Sequence, residues 1–200
     1  MQEKYGFFGG SFNPVTNAHL NIAKLVQEKY GLDKVVFVPM GDHYPKLELA
    51  KEEYRYEMLK IVTNKEDNIE VSDIELNLPN SLTMLQAFEK IQKQYANIQP
   101  YFIIGADNLD KLVNLDDFEI LARNYQFIVI GRNSINIQEK ISLNPILERF
   151  KAHFNILEDN PYENISATSV RNALKSGSNK DISNIIPHEV EEYIRKNNIY

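Results

Sequence analysis

Six short β-rich runs alternate with longer stretches whose apolar residues recur at three and four spacing, and this switching of period constrains the fold more than anything else in the chain. The runs are YGFF (5 to 8), KVVFVP (34 to 39), IEVSDI (69 to 74), YFIIG (101 to 105), QFIVIG (126 to 131) and HFNIL (153 to 157). Between them, NAHLNIAKLVQEKYG, KEEYRYEMLKIVTN, SLTMLQAFEKIQKQYA and DDFEILARN predict amphipathic helices. VVFV and FIVI are apolar on both faces, as parallel strands covered by helices on each side must be. The expectation is an α/β fold: a doubly wound, mostly parallel sheet, in one domain spanning residues 1–200. Segments 41–50, 131–145 and 158–164 read as surface or lid loops.

In such a sheet ligands sit outside the carboxyl ends of the strands, so the turns there are where chemistry is sought. After YGFF come Gly9 and Gly10, which are expected to permit unusual torsions and to let a ligand approach the main chain closely. Pro14 stiffens the turn, and Thr16 is the expected N-cap of a helix from Asn17 to Tyr30 that Gly31 ends. A helix start of this kind is an anion site, and His19 in its first turn leans back toward it. Neither G-x-G-x-x-G nor G-x-x-x-x-G-K-[ST] is present, which disfavours a dehydrogenase or a P-loop enzyme. Near the other end, NISATSVRNALKSG reads as a short helix with Ser166 as N-cap and Gly177 as C-cap, placing Thr168 and Arg171 on one face.

Composition narrows the chemistry. A net charge of −6 argues against broad nucleic-acid binding, which needs an extended basic face. With no cysteine there is no thiolate nucleophile and no cysteine-based metal centre, and the four histidines lack the spacing of a zinc site. The opening MQEKYGFFGG has no apolar run long enough for a signal peptide, and no stretch approaches the ~18 apolar residues of a membrane span. No membrane partner and a cytoplasmic location are expected.

GGSFNPVTNAH resembles the signature of the nucleotidyltransferases of the histidine-motif α/β-phosphodiesterase superfamily, G-x-F-x-P-x-[HT]-x-x-H. About 150 residues later, ISATSVR resembles the I-S-[SA]-T-x-x-R motif of the pyridine mononucleotide adenylyltransferases, and RYEMLKIV, VSDIEL, FIIGADNL and PHEVEEYI fall where the bacterial nicotinate-mononucleotide enzymes have similar segments. The resemblance implies a Rossmann-like nucleotidyltransferase fold. It also implies an ATP site built from Gly9, Gly10, Ser11, Phe12, His19, Gly105, Asp107, Ile165, Ser166, Thr168 and Arg171. Lys46, in a looser match to a P-x-[HK] loop, joins His19, Thr16 and Arg171 as the implied catalytic set, and Asn13, Tyr44, Thr83 and Leu115 are implied to face the mononucleotide.

The match departs from the family at four points. Thr16 replaces the first motif histidine and Ala18 a frequent glycine, Leu115 stands where a tryptophan stacks on the pyridine ring, and Leu82 replaces the tyrosine of an S-Y-T segment. Stacking would have to come from another aromatic, such as Phe118 or Tyr44, or be weaker.

The reaction implied is attack by the 5′-phosphate of a pyridine mononucleotide on the α-phosphorus of ATP, giving a dinucleotide and pyrophosphate. A phosphate monoester loses its second proton near pH ~6, so no strong general base is needed, and the sequence offers no catalytic carboxylate pair. What is needed is charge neutralisation and in-line positioning, with Mg²⁺ carried by the ATP oxygens and no dedicated protein cage for it. The partners expected are therefore ATP and a pyridine mononucleotide, with a homo-oligomer left open. Two alternatives stand beside this reading: a pantetheine-phosphate adenylyltransferase, and a nucleotide-binding module of the same fold without turnover.

Overall fold

The alternating runs become the strands of one six-stranded sheet in which every pair is parallel. The computed structural model describes residues 2–44, 48–131, 135–162, 164–176 and 182–200. In chain order the elements are β1 (Glu3–Gly10), α1 (Asn17–Tyr30), β2 (Lys34–Pro39), α2 (Glu52–Thr63), β3 (Ile69–Val71), α3 (Met84–Gln94), β4 (Ile98–Gly105), α4 (Leu109–Val113), α5 (Phe118–Asn124), β5 (Gln126–Ile130), α6 (Ile137–Leu143), α7 (Pro145–Arg149), β6 (Phe154–Leu157), α8 (Ala167–Lys175) and α9 (His188–Lys196). The strands lie side by side as β3-β2-β1-β4-β5-β6. The chain thus runs outward from β1 to β3 and then returns to lay β4 against β1, so the strand order reverses at the β1/β4 seam.

Side chains alternate across each strand, and this divides the interior into two cores. On β2, Val35 and Phe37 join Met58, Leu59, Val170, Val190 and Ile194 beneath α1, α2, α8 and α9. Val36 and Val38 point the other way, among Phe88, Leu109, Leu121, Ile137 and Leu147 of the α3 to α7 layer. The two-faced apolarity of VVFV and FIVI is borne out: Val35 to Phe37 and Phe127 to Val129 are all 0% exposed.

Several boundaries moved, each for a local reason. The strand expected over 69–74 stops at Val71, because the Ser72 hydroxyl accepts the Ile74 N–H at 3.4 Å and turns the chain. The segment 131–145, expected to be a loop, contains α6 and leads into α7, which start on the side chains of Asn136 and Asn144. Asn136 accepts from Glu139 N at 3.0 Å, and Asn144 from Ile146 N and Leu147 N at 3.0 and 3.2 Å. The Gly177 C-cap lies outside the described residues. Among the described residues, no helix is long and apolar enough to cross a membrane.

Candidate active site

The β1/β4 seam carries both glycine turns at its carboxyl end. β1 ends in Gly9-Gly10 and β4 in Gly105, with Phe8 opposite Ile103 in register. Neither Gly9 nor Gly10 has a positive φ, so the expected torsional role fails there and close approach remains. A Cβ on Gly9 would meet nothing within 4 Å, which leaves its main chain open to an incoming group, whereas one on Gly10 would strike the Phe12 ring at 2.9 Å. The left-handed residue of the turn is instead Phe12, at φ 43°. Its ring is 2% exposed and packs edge-on against Phe37 and His19, both at 5.2 Å, so this side chain is a peg that fixes the turn to the core.

α1 begins as expected, with Thr16 as N-cap and Gly31 closing it in the left-handed conformation. His19 Nδ1 accepts the Thr16 backbone N–H at 3.0 Å and lies 2.8 Å from the Thr16 hydroxyl. An Nδ1 that accepts puts the ring proton on Nε2, the tautomer that can donate to a phosphate oxygen. Thr16 is wholly buried, so its hydroxyl orients the imidazole rather than facing a ligand. A backbone carbonyl or carboxylate in its place would hold the proton on Nδ1 instead.

α8 brings the second motif onto the first. Ser166 caps it by accepting from Thr168 N at 3.2 Å, and Arg171 Nη1 donates to the Asn13 carbonyl at 2.7 Å while Nη2 donates to Thr168 Oγ1 at 3.2 Å. Arg171 Nε is buried and meets no acceptor among the described residues. Ile165 is half-buried beside this helix start. Just after β4, the Asp107 carboxylate folds back so closely that a Cβ on Gly105 would lie 2.4 Å from its Oδ1, so a larger residue there would push that carboxylate aside.

Asn13, 3% exposed, spends its side chain within the protein: Nδ2 donates to the Glu48 carbonyl at 2.9 Å, and Oδ1 accepts Ala50 N–H at 3.1 Å and the Tyr200 hydroxyl at 2.6 Å. It fastens the 48–50 segment to the turn. Lys46 lies outside the described residues. Thr83 is exposed at the start of α3, where its hydroxyl accepts Gln86 N at 3.2 Å. The neighbouring Leu82 carbonyl accepts the Tyr44 hydroxyl at 3.2 Å. Burial, then the nearby Glu75 carboxylate, push the Tyr44 phenol well up, and burial holds the Glu75 carboxyl above its ordinary range. Leu115 packs half-buried on the second core. Phe118 cannot replace the missing tryptophan, because it is 2% exposed and edge-on to Phe150 at 5.8 Å.

Sequence reasoning missed Arg55. It is 0% exposed, its Nη1 donates to the Ser11 carbonyl at 3.1 Å, Nε to the Ala50 carbonyl at 2.7 Å, and Nη2 to Asp42 at 3.1 Å. Burial pulls its pKa down and the Asp42 carboxylate works against that. A signal was present: Arg55 stands on the same helical stripe as Met58, Leu59 and Val62, where a charge must be buried with partners. For Tyr200 no local signal exists.

The comparisons agree with this architecture. The cytidylyltransferase-like family profile matches residues 7–173. The "Probable nicotinate-nucleotide adenylyltransferase" of Clostridium tetani is 31% identical over 205 residues, covering 99% of each chain, and that of Clostridium novyi is 30% identical over 203 residues, with the same coverage. A Plasmodium falciparum nicotinic acid mononucleotide adenylyltransferase complexed with NaAD superposes with a TM-score of 0.82 at 22% identity, covering 99% of this chain and 97% of its own. Its complex with APC gives a TM-score of 0.80 at 21% identity and the same coverage. With matched motifs seated at one sheet edge, and likeness running through nearly the whole length, the chain belongs to the cytidylyltransferase-like family.

Proposed function

We propose that the protein transfers the adenylyl group of ATP to nicotinate mononucleotide, releasing pyrophosphate and forming deamido-NAD. One observation carries this reading: the guanidinium of Arg171 rests on the carbonyl of Asn13, so two motifs far apart in sequence build one anion-binding rim. An oxygen of the acceptor 5′-phosphate forms a bond to the α-phosphorus, and the bond from that phosphorus to the oxygen bridging the β-phosphorus breaks. Because the attacking phosphate is already ionised at neutral pH, the protein's work is placement and charge neutralisation.

The open main chain at Gly9 and the start of α1 receive the triphosphate, His19 donates from Nε2, and Arg171 offers paired donors to phosphate oxygens. Lys46 and Thr168 join them in this reading, and Asp107 at the end of β4 meets the adenosine ribose. Magnesium enters with ATP as part of the substrate; among the described residues no group of three or more carboxylates and imidazoles is arranged to hold it. Tyr44, Thr83 and Leu115 line the acceptor side, and a cytoplasmic location belongs to the same reading. The relatives of like name support nicotinate over nicotinamide.

Pyrophosphate release from ATP and Mg²⁺, assayed separately with nicotinate mononucleotide, nicotinamide mononucleotide and phosphopantetheine, tests it. Turnover with the first is expected. Release only with another acceptor moves the substrate, and silence with all three despite ATP binding leaves a nucleotide-binding module. His19→Ala should lower kcat by about 100-fold or more, since it removes a donor aimed at developing charge, with near-native circular dichroism.

A further inference from the structure

The turn that binds the triphosphate in the proposed function is fastened by a residue from outside both motifs. The Tyr200 hydroxyl donates to Asn13 Oδ1 at 2.6 Å, across 187 positions of sequence. Asn13 is nearly inaccessible and belongs to the same residue whose carbonyl carries Arg171 at 2.7 Å. The phenol lies close enough to Arg55 and Arg171 that both guanidinium groups act on its ionisation, although burial dominates and pushes it well up, so it stays a neutral donor. A neutral donor suits this place, because an anion there would compete with phosphate for the Arg171 guanidinium.

A second observation is independent of that hydrogen bond. After α9 the chain takes the left-handed conformation at Asn198, φ 49°, and again at Tyr200, φ 82°. A bulky aromatic avoids this region, and such residues persist only where their surroundings hold them. Ile199 between them is 6% exposed in the first core, so the segment is pinned from both sides.

We propose that Tyr200 is a positioning residue for the nucleotide site: its hydroxyl fixes the Asn13 side chain, and through it the main-chain carbonyl that sets where the Arg171 guanidinium sits. The inference deepens the adenylyltransferase reading and rests on it for the ATP site, while only its kinetic arm needs turnover. Neither motif contains Tyr200, and its hydroxyl touches no reacting atom in this account; it acts through Asn13 and Arg171.

The test is Tyr200→Phe, which deletes one oxygen. Titration with Mg·ATP should show about fivefold weaker binding, the fold-change one ordinary hydrogen bond carries, with a fall in melting temperature of only about 2 to 4 °C. The KM for ATP should rise by the same factor while the KM for nicotinate mononucleotide stays. In an Arg171→Ala background the Tyr200→Phe effect on ATP binding should fall below about twofold, because the group being positioned is gone. Tyr200→Leu is the packing control and should lower the melting temperature as well. Unchanged ATP affinity in Tyr200→Phe overturns the inference, as does an equal loss with and without Arg171. The titration decides it whether or not the wild type turns over, so failure of the enzymatic reading shows separately as absent pyrophosphate release.

Discussion

Single atoms decide how the turn at the end of β1 can be used. At Gly9 an added methyl would meet empty space, so Gly9→Ala should fold with stability changed by no more than about 0.5 kcal/mol, yet raise the KM for ATP about tenfold or more by blocking approach to the main chain. Chemical denaturation beside steady-state kinetics checks both halves; an unaltered KM would mean that the main chain there is not used. Glu75 makes a pH prediction. Its folded carboxyl holds its proton more tightly than the unfolded one, so its contribution is favourable below about pH 4 and is lost as pH rises through the folded value. Glu75→Gln should therefore melt higher than wild type at pH 8, with the difference shrinking toward zero as pH falls to 4, measured by thermal denaturation across that range. His19 and Arg171 were legible in the sequence because each sits in a short motif beside a helix start. Arg55 left its trace as a charge on an apolar stripe, which periodicity alone tends to file as a solvated position, and Asn13 looked like a ligand contact because a buried amide and an exposed one are spelled the same way.

At the scale of elements, capping settles which helices exist and what they carry. Ser166→Ala removes the side-chain acceptor for Thr168 N and should cost about 1 kcal/mol, lowering the melting temperature by about 2 to 4 °C. Because the same turn presents Thr168 and Arg171, ATP affinity should fall with it, and hydrogen exchange should quicken at the start of α8 while the β2 amides stay protected. The strands were readable where they are apolar on both faces, as in β2 and β5. α6 and α7 were not, since their apolar residues are few and Asn136 and Asn144 resemble loop residues until their side chains are seen accepting backbone N–H groups. α9 was unread as a helix for a related reason: only Val190 and Ile194 of it are buried, too short a stripe to announce a period.

Across the whole molecule, the reversal of strand order puts both glycine turns on one rim, and α8 closes that rim from above. Anything that binds there and not to the unfolded chain stabilises the fold by mass action. Mg·ATP at about 100 times its Kd should add about 2.7 kcal/mol, seen as a rise of about 5 to 10 °C in melting temperature. Arg171→Ala should shrink that rise and flatten its dependence on ionic strength. The βα alternation made the layers and the sheet class legible from sequence, whereas no pattern along the chain could disclose that one asparagine is shared by three distant segments. That shared asparagine carries a consequence for biosynthesis. Residue 13 leaves the ribosome early, but the side chains that grip its carbonyl and its amide are 158 and 187 codons downstream. At about 5 to 20 residues per second the nascent polypeptide carries an unfinished pocket for on the order of ten seconds or more. Under the proposed function, full nucleotide affinity is reached only by chains that have already delivered residue 200.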